Sequence, residues 1–100
     1  MQPHHSRRER RHSIKVYGRF RYNGRAYEIP LLDLSEHGCR FFDRHGTLKV
    51  GTELLMHIEK LGPFSVIVRW SKDEYVGVEF ATPLYGPILD HIVSLYGGKA

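Results

Sequence analysis

Cysteine is almost missing from this chain of 100 residues. A single thiol, Cys39, excludes an internal disulfide framework and a cysteine-built zinc centre, both of which need at least a pair. Long apolar runs are missing as well. No stretch approaches the roughly 18 consecutive apolar residues that a membrane-spanning helix requires. The arginines near the amino terminus lack the apolar segment that follows them in a secretory signal. Compositional extremes are absent too: 41% hydrophobic and 26% charged residues are ordinary globular usage. The expectation is one small soluble cytoplasmic domain, with room for a modest core but not for a core plus a deep enzyme cleft.

Catalytic signatures are likewise lacking. There is no G-x-S-x-G elbow, no phosphate-binding loop of the Walker type and no H-E-x-x-H helix. The seven histidines do not make a metal site by pattern. His4 and His5 are adjacent near the amino terminus, and the others are scattered without ligand spacing or carboxylate partners. Cys39 falls in a predicted strand, where a thiol acts as a small core hydrophobe rather than a nucleophile. The chain is therefore expected to be neither an enzyme nor a holder of metal or cofactor.

Positive charge is what the sequence has, and it is concentrated. Acidic residues number 11 against 15 Lys and Arg, a formal net charge of +4. Residues 1–12 hold Arg7, Arg8, Arg10 and Arg11 against Glu9 alone, so they carry +3 of that total. They offer no apolar stripe for a core. The prediction is a flexible basic arm over residues 1–13 joined to a nearly neutral folded body over residues 14–97. Arms of this kind meet anions.

From Ile14 onward the pattern becomes that of strands. Ile14, Val16, Phe20 and Tyr22 share one face, with Lys15, Arg19 and Arg21 on the other. Gly18 interrupts this run and suggests a bend or bulge. Asn23-Gly24 is a strong hairpin signal, because both residues tolerate positive φ. The chain returns through Tyr27, Ile29, Leu31 and Leu32, with Pro30 indicating an edge position or a bulge. Residues 33–38 read as a turn, 39–42 as a short strand, and 53–59 as a clean alternation of Leu54, Met56 and Ile58. Leu61-Gly62-Pro63 reads as a turn into a strand over 64–71, and a last strand covers 75–80. Six short strands at regular spacing predict a mainly β fold, an antiparallel barrel or sandwich in which closure removes exposed edges. Ile88, Leu89, Ile92, Val93 and Tyr96 then recur at helical spacing, with Pro87 in the first turn and Gly97-Gly98 as a stop. This helix must bury its apolar stripe, and one mouth of the barrel is the natural place.

Two clusters remain that carry chemistry. In Arg7-Arg8-Glu9-Arg10-Arg11 the guanidinium groups are planar forks that pair bidentately with phosphate and with the N7 and O6 acceptors of guanine. The plain alternative is a solvated basic tail. In Asp33-Leu34-Ser35-Glu36-His37-Gly38, the Asp and Ser side chains can bond their own backbone in an Asx or Ser turn, with Gly38 supplying positive φ. The functional alternative places Asp33 and Ser35 on one side of an extended chain. There a carboxylate accepts from guanine N–H donors, while the serine hydroxyl and the turn amides receive phosphate oxygens.

Taken together, R-x-x-x-R at Arg7–Arg11 and D-x-S-x-x-G at Asp33, Ser35 and Gly38, about twenty residues on, resemble the PilZ domain family. Val76-Gly77-Val78-Glu79-Phe80, ahead of the helix, is similar to that family's last strand. Gly18-Arg19-Phe20 is similar to a variant found in small single-domain members. The resemblance implies a six-stranded antiparallel β-barrel with a C-terminal helix. It also implies a bacterial receptor or adaptor for the second messenger cyclic di-GMP, with a protein effector in motility, pilus or exopolysaccharide machinery. In that reading Arg7 and Arg11, with Arg8 beside them, clamp phosphates and stack on or fork to guanine. Asp33 reads the guanine N1 and N2 donors, Ser35 orients phosphate or the arm, and Gly38 permits close approach. No DNA partner and no membrane insertion are expected. Two other readings stand beside it: a degenerate member that binds proteins but no nucleotide, and a small barrel binding single-stranded nucleic acid through Tyr17, Tyr22, Tyr27 and Tyr75. The body's charge of +1 offers the latter no basic groove.

Overall fold

Alternation of apolar and polar residues is what turns this chain into a barrel. The computed structural model describes residues 12–44 and 46–96. Within them lie strands β1 (His12–Ser13), β2 (Tyr17–Tyr22), β3 (Arg25–Leu34), β4 (Gly38–Phe42), β5 (Glu53–Ile58), β6 (Leu61–Lys72) and β7 (Tyr75–Phe80), followed by helix α1 (Gly86–Tyr96). Strands β3, β2, β5, β6, β7 and β4 bond in that order, and β4 returns to β3, closing a six-stranded ring. Every pairing is antiparallel. Closure leaves no exposed edge in the ring, and the expected barrel is therefore the observed one. Inward positions fill it: Val16, Phe20, Leu31, Phe41, Met56, Ile58, Val66, Val68, Val76 and Phe80 are all buried.

Local chemistry sets several of these elements. Asn23 and Gly24 take φ of 52° and 79°, so the β2–β3 hairpin turns on the pair that tolerates it. Helix α1 buries Leu89 and Ile92 against the core, as its stripe requires. Its expected stop at Gly97-Gly98 lies outside the described residues.

Four local expectations are corrected. The first apolar run does not stay one strand. Between β1 and β2 the Lys15 N–H turns away and donates to the Tyr96 carbonyl at 3.0 Å, satisfying a carbonyl that a helix end leaves without an internal partner. Gly18 makes neither bend nor bulge. It pairs regularly with Ile29 and Ile58, and a Cβ there would crowd Leu31, Met56 and Ile29 at 3.1–3.3 Å. Leu61-Gly62-Pro63 is not a turn but the start of β6. The chain reverses just before it, where Glu59 takes φ of 53°. Finally, Asp33 belongs to β3 rather than to the turn. Asp33 and Leu34 are held on one side by Ser13 and His12 of β1 and on the other by Arg40 and Cys39 of β4. Pro30, opposite Tyr17, precedes the irregularity between Leu31 and Asp33 in the β3–β4 register.

Candidate functional site

Outward-facing residues of the β3–β4–β7–β6 wall form a row across four strands. Asp33 is registered with Arg40, Arg40 with Gly77, and Gly77 with Trp70. These positions are distant in sequence, and only the strand pairing brings them together.

At one end of the row, Asp33 is buried, 5% exposed, and is a counter-ion for Arg40. The Arg40 Nε donates to Asp33 Oδ2 at 2.7 Å, and Arg40 Nη2 donates to the same oxygen. The hydrogen bonds from this guanidinium to Asp33 raise the Arg40 pKa, burial opposes the rise, and the charge of Asp33 adds to it. Arg40 is thus a permanent cation whose side chain is 44% exposed. Sequence inspection missed it, because an arginine in an alternating strand looks like ordinary solvated surface.

At the other end, the indole of Trp70 packs against Gly77. A Cβ added at Gly77 would stand 2.1 Å from Trp70 Nε1 and 2.3 Å from Cε2. Glycine is what lets the ring of β6 settle against β7 there. Trp70 remains 39% exposed, so part of the side chain meets solvent. Beside it is a shallow recess of about 160 Å³, lined by His37, Gly38, Arg69, Trp70, Gly77 and Glu79 among others. Arg69 Nε donates to Glu79 Oε1 at 2.6 Å within this wall.

The turn between β3 and β4 adjoins the same recess. Ser35 is fully buried. Its Oγ accepts from the His37 N–H at 3.2 Å and the Gly38 N–H at 3.3 Å, while its own amide donates to the Gly38 carbonyl at 2.9 Å. The Ser-turn arrangement is therefore present, and those two amides are directed to Ser35 rather than outward. Gly38 does not take positive φ as expected. Its glycine is required by packing, since a Cβ would stand 2.0 Å from the Val78 carbonyl oxygen on β7. The turn also carries the approach to the helix. His37 and Glu36 carbonyls accept from Phe80 and Leu84 N–H at 2.8 Å each.

Arg7, Arg8 and Arg11 lie outside the described residues. What is described is the point at which the chain leaves them: His12 is registered with Leu34 and Ser13 with Asp33. The residue after Arg11 thus already runs antiparallel to the strand that ends in the D-x-S-x-x-G segment.

A larger groove of about 730 Å³ crosses the opposite wall, over Arg19, Arg21, Tyr27, Leu55 and His57; Asp33, Ser35 and Gly38 do not line it. Among the described residues no three His, Cys, Asp or Glu side chains gather as a metal site, and no helix is long and apolar enough to cross a membrane.

The model of a family described as PilZ domain matches residues 5–97, a span that includes all six sequence-predicted site residues. No curated protein matches the chain.

Proposed function

The chain belongs to the PilZ domain family, whose members are generally cyclic di-GMP-binding adaptors rather than enzymes, and from that premise we propose that this protein is itself a cyclic di-GMP receptor acting on a protein effector. The observation that carries the reading is the pairing of β1 with the end of β3. It sets His12 and Ser13, which follow R-x-x-x-R directly, beside Leu34 and Asp33, and this supports one shared surface for two clusters some twenty residues apart in sequence.

The ligand is a dianion with two purine rings, and the wall offers something for each part. Arg7, Arg8 and Arg11 supply guanidinium forks for phosphate and for guanine acceptors. Trp70 supplies a flat face for a purine, a contact worth about 1–3 kcal/mol per base. Ser35 shapes the turn, Gly38 lets β4 close on β7, and Asp33 fixes the negative pole of the site. Bringing the arginines onto the wall costs about 1–2 kcal/mol of backbone entropy per residue fixed. Charge-assisted hydrogen bonds at roughly 1.5–3 kcal/mol each offset that cost. Because the β3–β4 turn is hydrogen-bonded to residues 80 and 84, occupation of the wall is felt at the root of α1, where an effector can sense it. The protein then acts in the cytoplasm.

Calorimetric titration of cyclic di-GMP, with GMP and cyclic di-AMP as controls, tests the proposal. Selective binding in the micromolar range or tighter is expected. A folded protein that gives no heat favours the second reading, a family member that serves protein interaction alone. That reading draws its support from Asp33 and Ser35, whose polar groups are already engaged within the protein.

A further inference from the structure

Helix α1 carries apolar residues on two faces. Leu89 and Ile92 enter the barrel core, yet Ile88 and Leu95 stay 37% and 61% exposed. Ile88, His91 and Leu95 stand at i, i+3 and i+7, so they form one stripe along the outer side of the helix. Beside the first half of that stripe runs a groove of about 490 Å³ between α1 and the start of β6. Leu61, Pro63, Phe64, Tyr85, Ile88 and His91 are among its lining residues. None of the lining residues is Lys, Arg, Asp or Glu, in a chain where 26% of all residues are. The groove also shares no residue with the row from Asp33 to Trp70.

Groove and stripe fit each other in one specific way. The hole lies at the amino-terminal half of α1, and Leu95 projects from the carboxy-terminal half of the same stripe. Consider a second copy of the helix laid antiparallel across the first, with a twofold axis near His91. Residues three before and four after the axis then exchange places, so Leu95 of each copy meets Ile88 of the other and enters its groove. A twofold interface demands this property, one patch that carries both knob and hole. The antiparallel arrangement also sets the positive end of each helix dipole beside the negative end of the other. Two copies that each carry +4 repel overall, and this patch brings no Lys or Arg against its twin.

We infer that this face is where a second copy of the chain docks, an antiparallel pairing of α1 with α1 in which each Leu95 fills the groove beside the other copy's Ile88. The helix has 11 residues and is about 16 Å long. The interface therefore belongs to the small, reversible class, below the roughly 800 Å² per partner of standard complexes. The dimer forms at high micromolar protein and dissociates on dilution.

Sedimentation velocity over a concentration series tests this with the full chain and its Leu95→Lys variant, each fold checked by circular dichroism. The parent is expected to shift from monomer to dimer as concentration rises. Leu95→Lys places a cation near the carboxy-terminal end of the helix, where the dipole favours it. The fold is kept, while the dimer weakens about tenfold or more. Under mild oxidation His91→Cys is expected to cross-link two copies across the axis, and Asp90→Cys, on another side of the helix, to do so far more slowly. Cys39 is buried and adds no background. A parent that stays monomeric at every concentration overturns the inference, whatever the nucleotide titration gives. A dimer that Leu95→Lys leaves intact, or that cross-links no better through residue 91 than through residue 90, lies on another face and overturns it too. Should Leu95→Lys fail to fold, the cross-linking pair decides.

Discussion

Gly38 packs with no room to spare: the space a side chain would occupy is filled by the Val78 carbonyl, 2.0 Å from an added Cβ. Backbone cannot swing aside as a side-chain tip can, so an alanine there must part β4 from β7. Gly38→Ala is expected to destabilise the fold by about 1–3 kcal/mol, the usual cost of overpacking. The urea midpoint would fall accordingly, and an unchanged midpoint would show that the contact with Val78 is not what requires glycine. At this scale the D-x-S-x-x-G residues were legible as a group, but their individual reasons were not. Ser35 organises its own turn, Asp33 pairs with an arginine seven residues on, and Gly38 answers to a strand forty residues away. The residues that complete the row, Arg40 and Trp70, carry no local signature at all.

Among the elements, helix α1 and the residues just ahead of it join Lys15 and the β3–β4 turn to the barrel core. Leu89 and Ile92 enter the core, Tyr96 receives the Lys15 amide, and Leu84 just ahead of the helix donates to Glu36 in the β3–β4 turn. Ile92 is fully buried, so Ile92→Ala removes several methylene-sized groups from a packed site. A loss of about 2–5 kcal/mol is expected, read as a lower midpoint in chemical denaturation. A loss below 1 kcal/mol would mean that the helix rests on the barrel without sealing it. The helix was readable from its 3.6-residue period, and the strands from their alternation. Boundaries were less readable, because they depend on partners. Residues 33 and 34 carry turn-like composition yet stay extended, since β1 and β4 bond them from both sides.

For the whole molecule, charge separation is the main electrostatic fact. Residues 1–12 hold +3 of the net +4, so the folded body by itself draws an anion only weakly. If the arginines before β1 bind the dinucleotide, affinity falls several-fold as ionic strength rises and the screening length drops from about 10 Å at 0.1 M to about 3 Å at 1 M. Arg11→Ala is expected to bind at least tenfold more weakly and with a flatter salt dependence, measured by titration at low and high salt. Equal affinity in that variant and the parent would remove residue 11 from the mechanism.

The sequence by itself determined which residues alternate, where the β2–β3 hairpin turns, that a helix follows the last strand, and that two polar clusters resemble those of one family. These properties are local: period, turn chemistry and motif spacing are written within a few residues of one another. Only the tertiary structure decided that Asp33, Arg40, Gly77 and Trp70 stand in one row, that β1 lies against β3, and which glycine answers to which neighbour. Those relations depend on register between strands far apart in the chain, and a shift of one residue would turn every side chain to the opposite face. Register is chosen by the fit of the closed barrel around its buried core, a quantity that belongs to all six strands at once.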